Sequence, residues 1–154
     1  MQLSSSAFRS GDRIPEQYTG DGHDVSPPLE WSGEPAETKE FALICDDPDA
    51  PTPRPWVHWV LYGIPAGTRS LPESISGSTQ LTGTEGKNSW PNGKTIGYRG
   101  PAPPKGHGVH HYHFKLYALK TSLTFPRGMD KEAILNAIQG HLLAQAELVG
   151  TYER

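Results

Sequence analysis

The stretch from Gly97 to Leu119, GYRGPAPPKGHGVHHYHFKLYAL, constrains this chain more than any other. Its first half, Gly97 to Gly108, holds four glycines and three prolines, so the backbone turns tightly and cannot donate at every residue. Its second half alternates. His110, Tyr112, Phe114, Leu116 and Ala118 share one face of a strand, and His111, His113, Lys115, Tyr117 and Leu119 share the other. The first set is apolar beyond its first two members and is the better candidate for a core face. His110 and Tyr112 then sit on an inward face beside a stiff Gly/Pro loop, an arrangement that predicts a pocket rim.

Other segments point to the same fold class. Phe41 to Cys45 is a short apolar run halted by Asp46-Asp47-Pro48, which reads as a buried strand. Trp56 to Ile64, WVHWVLYGI, is apolar on both faces and reads as a central strand. Strict alternation puts Trp56, His58, Val60 and Tyr62 on one of its faces and Val57, Trp59 and Leu61 on the other. Between these strands, Pro48 to Pro55 holds four prolines and reads as a loop. Pro65 to Gly97 is Gly/Ser/Thr/Asn-rich, without periodicity, and reads as a long loop with at most one short strand. One helix is expected, capped by Asp130, carrying Ile134, Leu135 and Ile138, and ending at Gly140. His141 to Tyr152 carries both signals: Leu142, Ala144, Ala146 and Leu148 alternate as in a strand, whereas the Ala/Gln/Glu/Leu composition favours a helix, and the strand reading is preferred.

Fifteen prolines and seventeen glycines among 154 residues favour short strands and turns over a helical bundle. The length suits a single domain, 1–154, able to bury roughly 70% of the surface its unfolded form exposes. A formal charge of −3 with no run of either sign argues against a nucleic-acid partner, which calls for a basic stripe. The lone Cys45 excludes an internal disulfide. The N-terminus has no apolar leader core, and nothing approaches the ~20 apolar residues of a membrane span. The expectation is a soluble, cytoplasmic protein.

The residues with chemistry fall beside the proline-rich loops. Asp47 ends one strand run, His58 lies inside the next, and His110 and Tyr112 begin the third. Each has an ordinary structural reading: an Asx-turn for Asp47, a core histidine bonded to a carbonyl for His58. If the strands share a sheet, two imidazoles, a carboxylate and a phenol converge on one small cavity, a lining suited to a small anion such as phosphate or carboxylate. The cluster His107, His110, His111 and His113 invites a zinc reading. However, His110 points away from His111 and His113, and no Cys or acidic residue completes a tetrahedral set, so no metal or other cofactor is assigned. Cys45 reads as an inert core thiol, and there is no GxSxG elbow.

Two motifs, DPDAP at Asp47–Pro51 with WVHW at Trp56–Trp59, and GPAPPKGHGVHHYHFKLYAL from Gly100, resemble those of the phosphatidylethanolamine-binding protein family. The resemblance is to its bacterial and archaeal, Raf-kinase-inhibitor-like branch, and the ending AELVGTYER at Ala146–Arg154 is similar to that branch too. It implies a mainly β fold, a large antiparallel sheet packed on a smaller one, with a short helix near the C-terminus. It also implies a pocket for phosphate-type head groups lined by Asp47, Trp56, His58, Gly100, Pro103, His110 and Tyr112. Val57 and His111 depart from the eukaryotic pattern, which commonly has a second histidine and an arginine there, and this sets kinase-regulating partners in doubt.

The functional expectation is therefore a non-enzymatic protein that binds a small anion or phosphorylated head group. His58, His110 and Tyr112 are expected to donate to the anion, and Asp47 to orient a histidine and favour its charged form. Trp56 and Pro103 are expected to form apolar walls, with Gly100 allowing close backbone approach. The rival reading is a hydrolase or isomerase using His58 or His110 as general base. A protein partner such as a kinase or protease, engaged through the Pro48–Pro55 loop, is a third. Exposed tryptophans would support a homodimer.

Overall fold

Glu40–Asp47 is buried at all eight positions, and the rest of the molecule is built outward from it in a computed structural model that describes residues 1–154. The strands are β1 (Gln2–Ser4), β2 (Leu29–Ser32), β3 (Glu40–Asp47), β4 (Trp56–Pro65), β5 (Ser70–Leu71), β6 (Thr84–Glu85), β7 (His110–Leu119) and β8 (Leu142–Tyr152). A single α-helix, α1 (Lys131–Ile138), precedes β8, and a 3-10 turn spans Glu16–Tyr18. All ladders are antiparallel. They form a five-stranded sheet ordered β6-β4-β3-β7-β8 and a three-stranded sheet ordered β1-β2-β5. No helix is long and apolar enough to cross a membrane.

The large sheet has a core on each face. On one side Phe41, Leu43 and Cys45 of β3 and Phe114, Leu116 and Ala118 of β7 meet Leu3, Leu29, Trp31 and Leu71 from the small sheet. On the other, Ala42, Ile44, Val60, Tyr62, Tyr117 and Leu119 meet Ile134 and Ile138 of α1. The face of β7 that begins with His110 is the principal core face, as its alternation requires. Its opposite face is apolar only at Tyr117 and Leu119, where α1 lies. The helix starts at Asp130, whose carboxylate accepts from Ala133 N at 2.8 Å.

Alternation in β4 does not run unbroken. Cys45 pairs with Trp59, yet the next residue, Asp46, pairs with Val57, so His58 is an extra residue opposite the β3 ladder. A second slip lies between Phe41 and Leu43, where Gly63 takes a φ of +66° open to glycine without strain. The expected face of Trp56, His58, Val60 and Tyr62 is thereby divided. Val60 and Tyr62 pack under α1, while Trp56 and His58 turn to the opposite side. The long 65–97 segment contains two two-residue strands rather than one.

That segment is held from within. Buried Glu85 accepts from Trp59 Nε1 at 2.7 Å, Ser76 Oγ at 2.6 Å and Gly77 N at 2.8 Å, and Ser76 Oγ in turn accepts from Tyr98 N at 2.8 Å. A leucine at position 85 would strand several of these donors, each costing about 1–3 kcal/mol when buried unpaired. Glu85→Leu is expected to lose about 3 kcal/mol of stability in urea unfolding with an unchanged m-value. A loss below about 1 kcal/mol would show that the loop is held by packing instead.

Candidate functional site

The chain ends of β3, β4 and β7 meet the two proline-rich loops around a cavity of about 240 Å³. Asp47, Trp56, His58, Pro103, His110 and Tyr112 line it, together with Ala50, Pro51, Thr52, Trp90, Ala102 and Pro104. Six of the seven residues singled out from the sequence are thus in one wall. Gly100 is not. A Cβ there would lie 2.0 Å from the Tyr18 carbonyl and 2.9 Å from Asp24 Oδ1, and its N–H donates to that carboxylate at 2.6 Å. Gly100 allows the loop to close on the N-terminal segment, not on a ligand.

Asp47 has two duties. Oδ1 accepts from Asp49 N at 2.8 Å, the Asx-turn that bends the chain out of β3. Oδ2 lies 2.6 Å from Nδ1 of His110. Since a carboxylate can only accept, that nitrogen carries a hydrogen and the ring is fixed by it. His110 Nε2 then meets Nδ1 of the exposed His107 at 2.7 Å, and one proton lies between them. A carboxylate, a buried imidazole and a surface imidazole thus form one chain of hydrogen bonds.

His58 uses the same nitrogen but directs it to a neutral group. Its Nδ1 lies 2.6 Å from the Arg99 carbonyl, an acceptor, so Nδ1 is the protonated nitrogen. Burial pushes this ring down from the usual histidine value of 6.5 to about 4, against the opposing pull of the Arg99 hydrogen bond and of Asp47, Asp24 and Asp46. Near neutral pH its Nε2 is therefore a bare lone pair. The expected donation from His58 to an anion does not fit this tautomer. Trp90 and Tyr112 clamp the ring edge-to-face, with centroids at 5.1 and 5.0 Å. Burial, reinforced by Asp47, pushes Tyr112 well above the ordinary tyrosine range. Its hydroxyl stays protonated and finds no partner in the protein.

The remaining histidines do not join this wall. His111 offers both its N–H and Nδ1 to Asp49 Oδ2, at 2.8 and 2.7 Å. Burial acts upward on Asp49, but these bonds outweigh it and hold the carboxyl below its usual range. His113 lies 3.3 Å from Glu147. No three His, Cys, Asp or Glu side chains gather at one point where a metal would sit. Cys45 is sealed in the core, and burial pushes its thiol well above the usual cysteine value.

The family model described as Phosphatidylethanolamine-binding protein matches residues 4–153. The chain belongs to the phosphatidylethanolamine-binding protein family. It is 47% identical over its whole length to a UPF0098 protein of Methanothermobacter thermautotrophicus, covering 99% of that protein. Among solved structures it superposes on YbcL of Escherichia coli with a TM-score of 0.91 at 33% identity, covering 99% of this chain and 98% of that one. The homologue CT736 of Chlamydia trachomatis gives 0.89 at 39% identity, covering 99% and 97%. The two sheets and the C-terminal helix are the fold these relatives share, and family membership supports a ligand-binding role.

Sequence reasoning missed Trp90, a lone aromatic in an aperiodic Asn-Ser-Trp-Pro context. It packs edge-to-face on Trp56 at 5.4 Å and is stacked from behind by the Arg99 guanidinium at 4.7 Å. The partnership of His107 with His110 was hidden because the loop between them sets it.

Two titrations check this wiring. The His58 ring signal is expected to stay in its Nδ1–H form in NMR down to about pH 5; a midpoint between pH 6 and 7 would contradict it. Because the unfolded chain takes up a proton here that the folded chain refuses, stability is full above pH 6.5 and is lost as pH falls towards 4. His58→Phe is expected to flatten that acid limb by about 3 kcal/mol at most.

Proposed function

We propose that this protein binds a small anion of phosphate or carboxylate type in the cavity and does not transform it. The observation that carries the reading is the unpartnered hydroxyl of buried Tyr112 beside an imidazole held by a carboxylate, in walls of tryptophan, proline and alanine. Such walls exclude water and strengthen each hydrogen bond that forms inside.

In this reading Tyr112 Oη donates to the anion. A second donor is Nε2 of His110 once His107 gives way, because a charged His110 carries hydrogens on both nitrogens. Asp47 keeps the ring in place while Nε2 works. Trp56, Trp90 and Pro103 bound the space. A binding role without turnover is supported by the lack of a free nucleophile in the wall: Thr52, its one aliphatic hydroxyl, donates to the Arg54 carbonyl at 2.6 Å.

Calorimetric titration of inorganic phosphate and phosphoethanolamine at pH 6.5 tests the reading. Saturable binding is expected, weakened about tenfold or more in Tyr112→Phe, the loss of one hydrogen bond to a charged group. Binding that is unchanged in Tyr112→Phe and His110→Ala would place the anion elsewhere.

A further inference from the structure

The lining of the cavity contains one carboxylate, Asp47, and no lysine or arginine. When His110 is charged, its pair with Asp47 is neutral overall, so the second charge of a dianion finds no counter-ion in the wall. Nor is the wall purely donating. His58 is 3% exposed, its Nδ1 is spent on the Arg99 carbonyl, and its Nε2 has no hydrogen-bond partner in the protein. His58 lines the cavity, and with Nδ1 turned to Arg99 the nitrogen left for an occupant is Nε2. An occupant that presents only acceptor oxygens would set a lone pair against a lone pair at this point and leave it unpaired, a loss comparable to an unmade buried hydrogen bond.

Resting on the anion-binding reading above, we propose that the cavity takes its anion in a singly protonated acid form: dihydrogen phosphate or a phosphomonoester monoanion whose P–OH donates to His58 Nε2. The charged oxygens of the same group accept from Tyr112 Oη and from His110. Donor and acceptor edges then match at both ends of the cavity. Phosphodiesters, including an intact phospholipid head group, carry the same charge but no P–OH, and sulfate esters likewise. The site discriminates against both, as a buried acceptor left without a donor does in other recognition sites.

The charges around His58 agree with this. Asp47 and His110, with His107 behind it, line the same cavity, and Tyr112 lies edge-to-face against the ring. Asp24 and Asp46 act on it from further away, and the Arg99 guanidinium is turned onto Trp90. Apart from His110, whose charge is matched by Asp47, no cation is placed to hold the second charge of a dianion. Affinity should therefore follow the fraction of ligand that still holds its last proton. For a phosphomonoester that fraction falls above pH about 6.

The experiment compares methyl phosphate, dimethyl phosphate, methyl sulfate and glycerophosphoethanolamine by calorimetry on the wild-type protein at pH 5.5. Methyl phosphate is expected to bind at least about tenfold more tightly than the other three, one unmade hydrogen bond being worth about that factor. Equal affinity for methyl phosphate and methyl sulfate would overturn the inference while leaving anion binding intact. Tighter binding of glycerophosphoethanolamine would overturn it in favour of an ammonium donor from an intact head group. Absence of binding by all four would overturn the anion-binding reading itself.

A second arm replaces methyl phosphate by methylphosphonate, whose second ionisation lies at higher pH. The decline in affinity is expected to move to higher pH with the ligand. A decline at the same pH for both ligands would assign it to the protein's histidines and refute the proposal. In His58→Gln, whose amide can turn a donor towards the ligand, the preference for methyl phosphate over methyl sulfate is expected to shrink towards one.

Discussion

The slip of β4 against β3 is the constraint on which the site depends. Cys45 opposite Trp59 and Asp46 opposite Val57 leave His58 unpaired in the ladder. Without that extra residue the alternation fixed by Trp59 and Leu61 would send His58 beneath α1, among Val60 and Tyr62. With it, both Trp56 and His58 face the cavity. The bulge turns a strand that is buried over most of its length into one that presents a polar ring at its end. It works because β3 is fully buried and cannot slide to absorb the slip, its two faces being claimed by separate cores.

The two cavity histidines are alike in burial and opposite in use. His110 directs Nδ1 to a carboxylate and leaves Nε2 to a second imidazole at the surface. His58 directs Nδ1 to a backbone carbonyl and leaves Nε2 bare, and with no carboxylate bonded to it the cost of burying its charged form prevails. In the anion-binding reading a charged His110 supplies a hydrogen at Nε2, while His58, left neutral, receives one. A pocket described only as two histidines, an aspartate and a tyrosine hides this difference, and with it the selectivity that the hydrogen-bond directions support.

Much of this was legible in the sequence. The alternation of His110–Leu119 and the apolar runs at Phe41–Cys45 and Trp56–Ile64 are local signals, and they located the three strands whose ends build the cavity. The proline-rich loops, readable from composition, located its rim. What depended on register was not legible. A one-residue slip in β4 changes no residue type, yet it reverses which neighbours share a face with His58. Gly100 carried a pocket role by motif, but its real constraint is the approach of Tyr18 and Asp24, remote segments that no local pattern reveals. Trp90 lay in a segment whose order comes from Glu85 and Ser76, polar anchors that leave no period in the sequence.

The decisive measurement is a crystal structure of the protein grown with methyl phosphate at pH 5.5. The phosphate group is expected inside the cavity, one oxygen within hydrogen-bond reach of Tyr112 Oη and another of His58 Nε2. The Asp47–His110 bond should be kept and His107 turned away from His110. Phosphate density confined to the cleft that Arg54, Lys87 and Lys131 line with Asp130 and Glu132, with the cavity holding none, would show that the cavity is not the anion site.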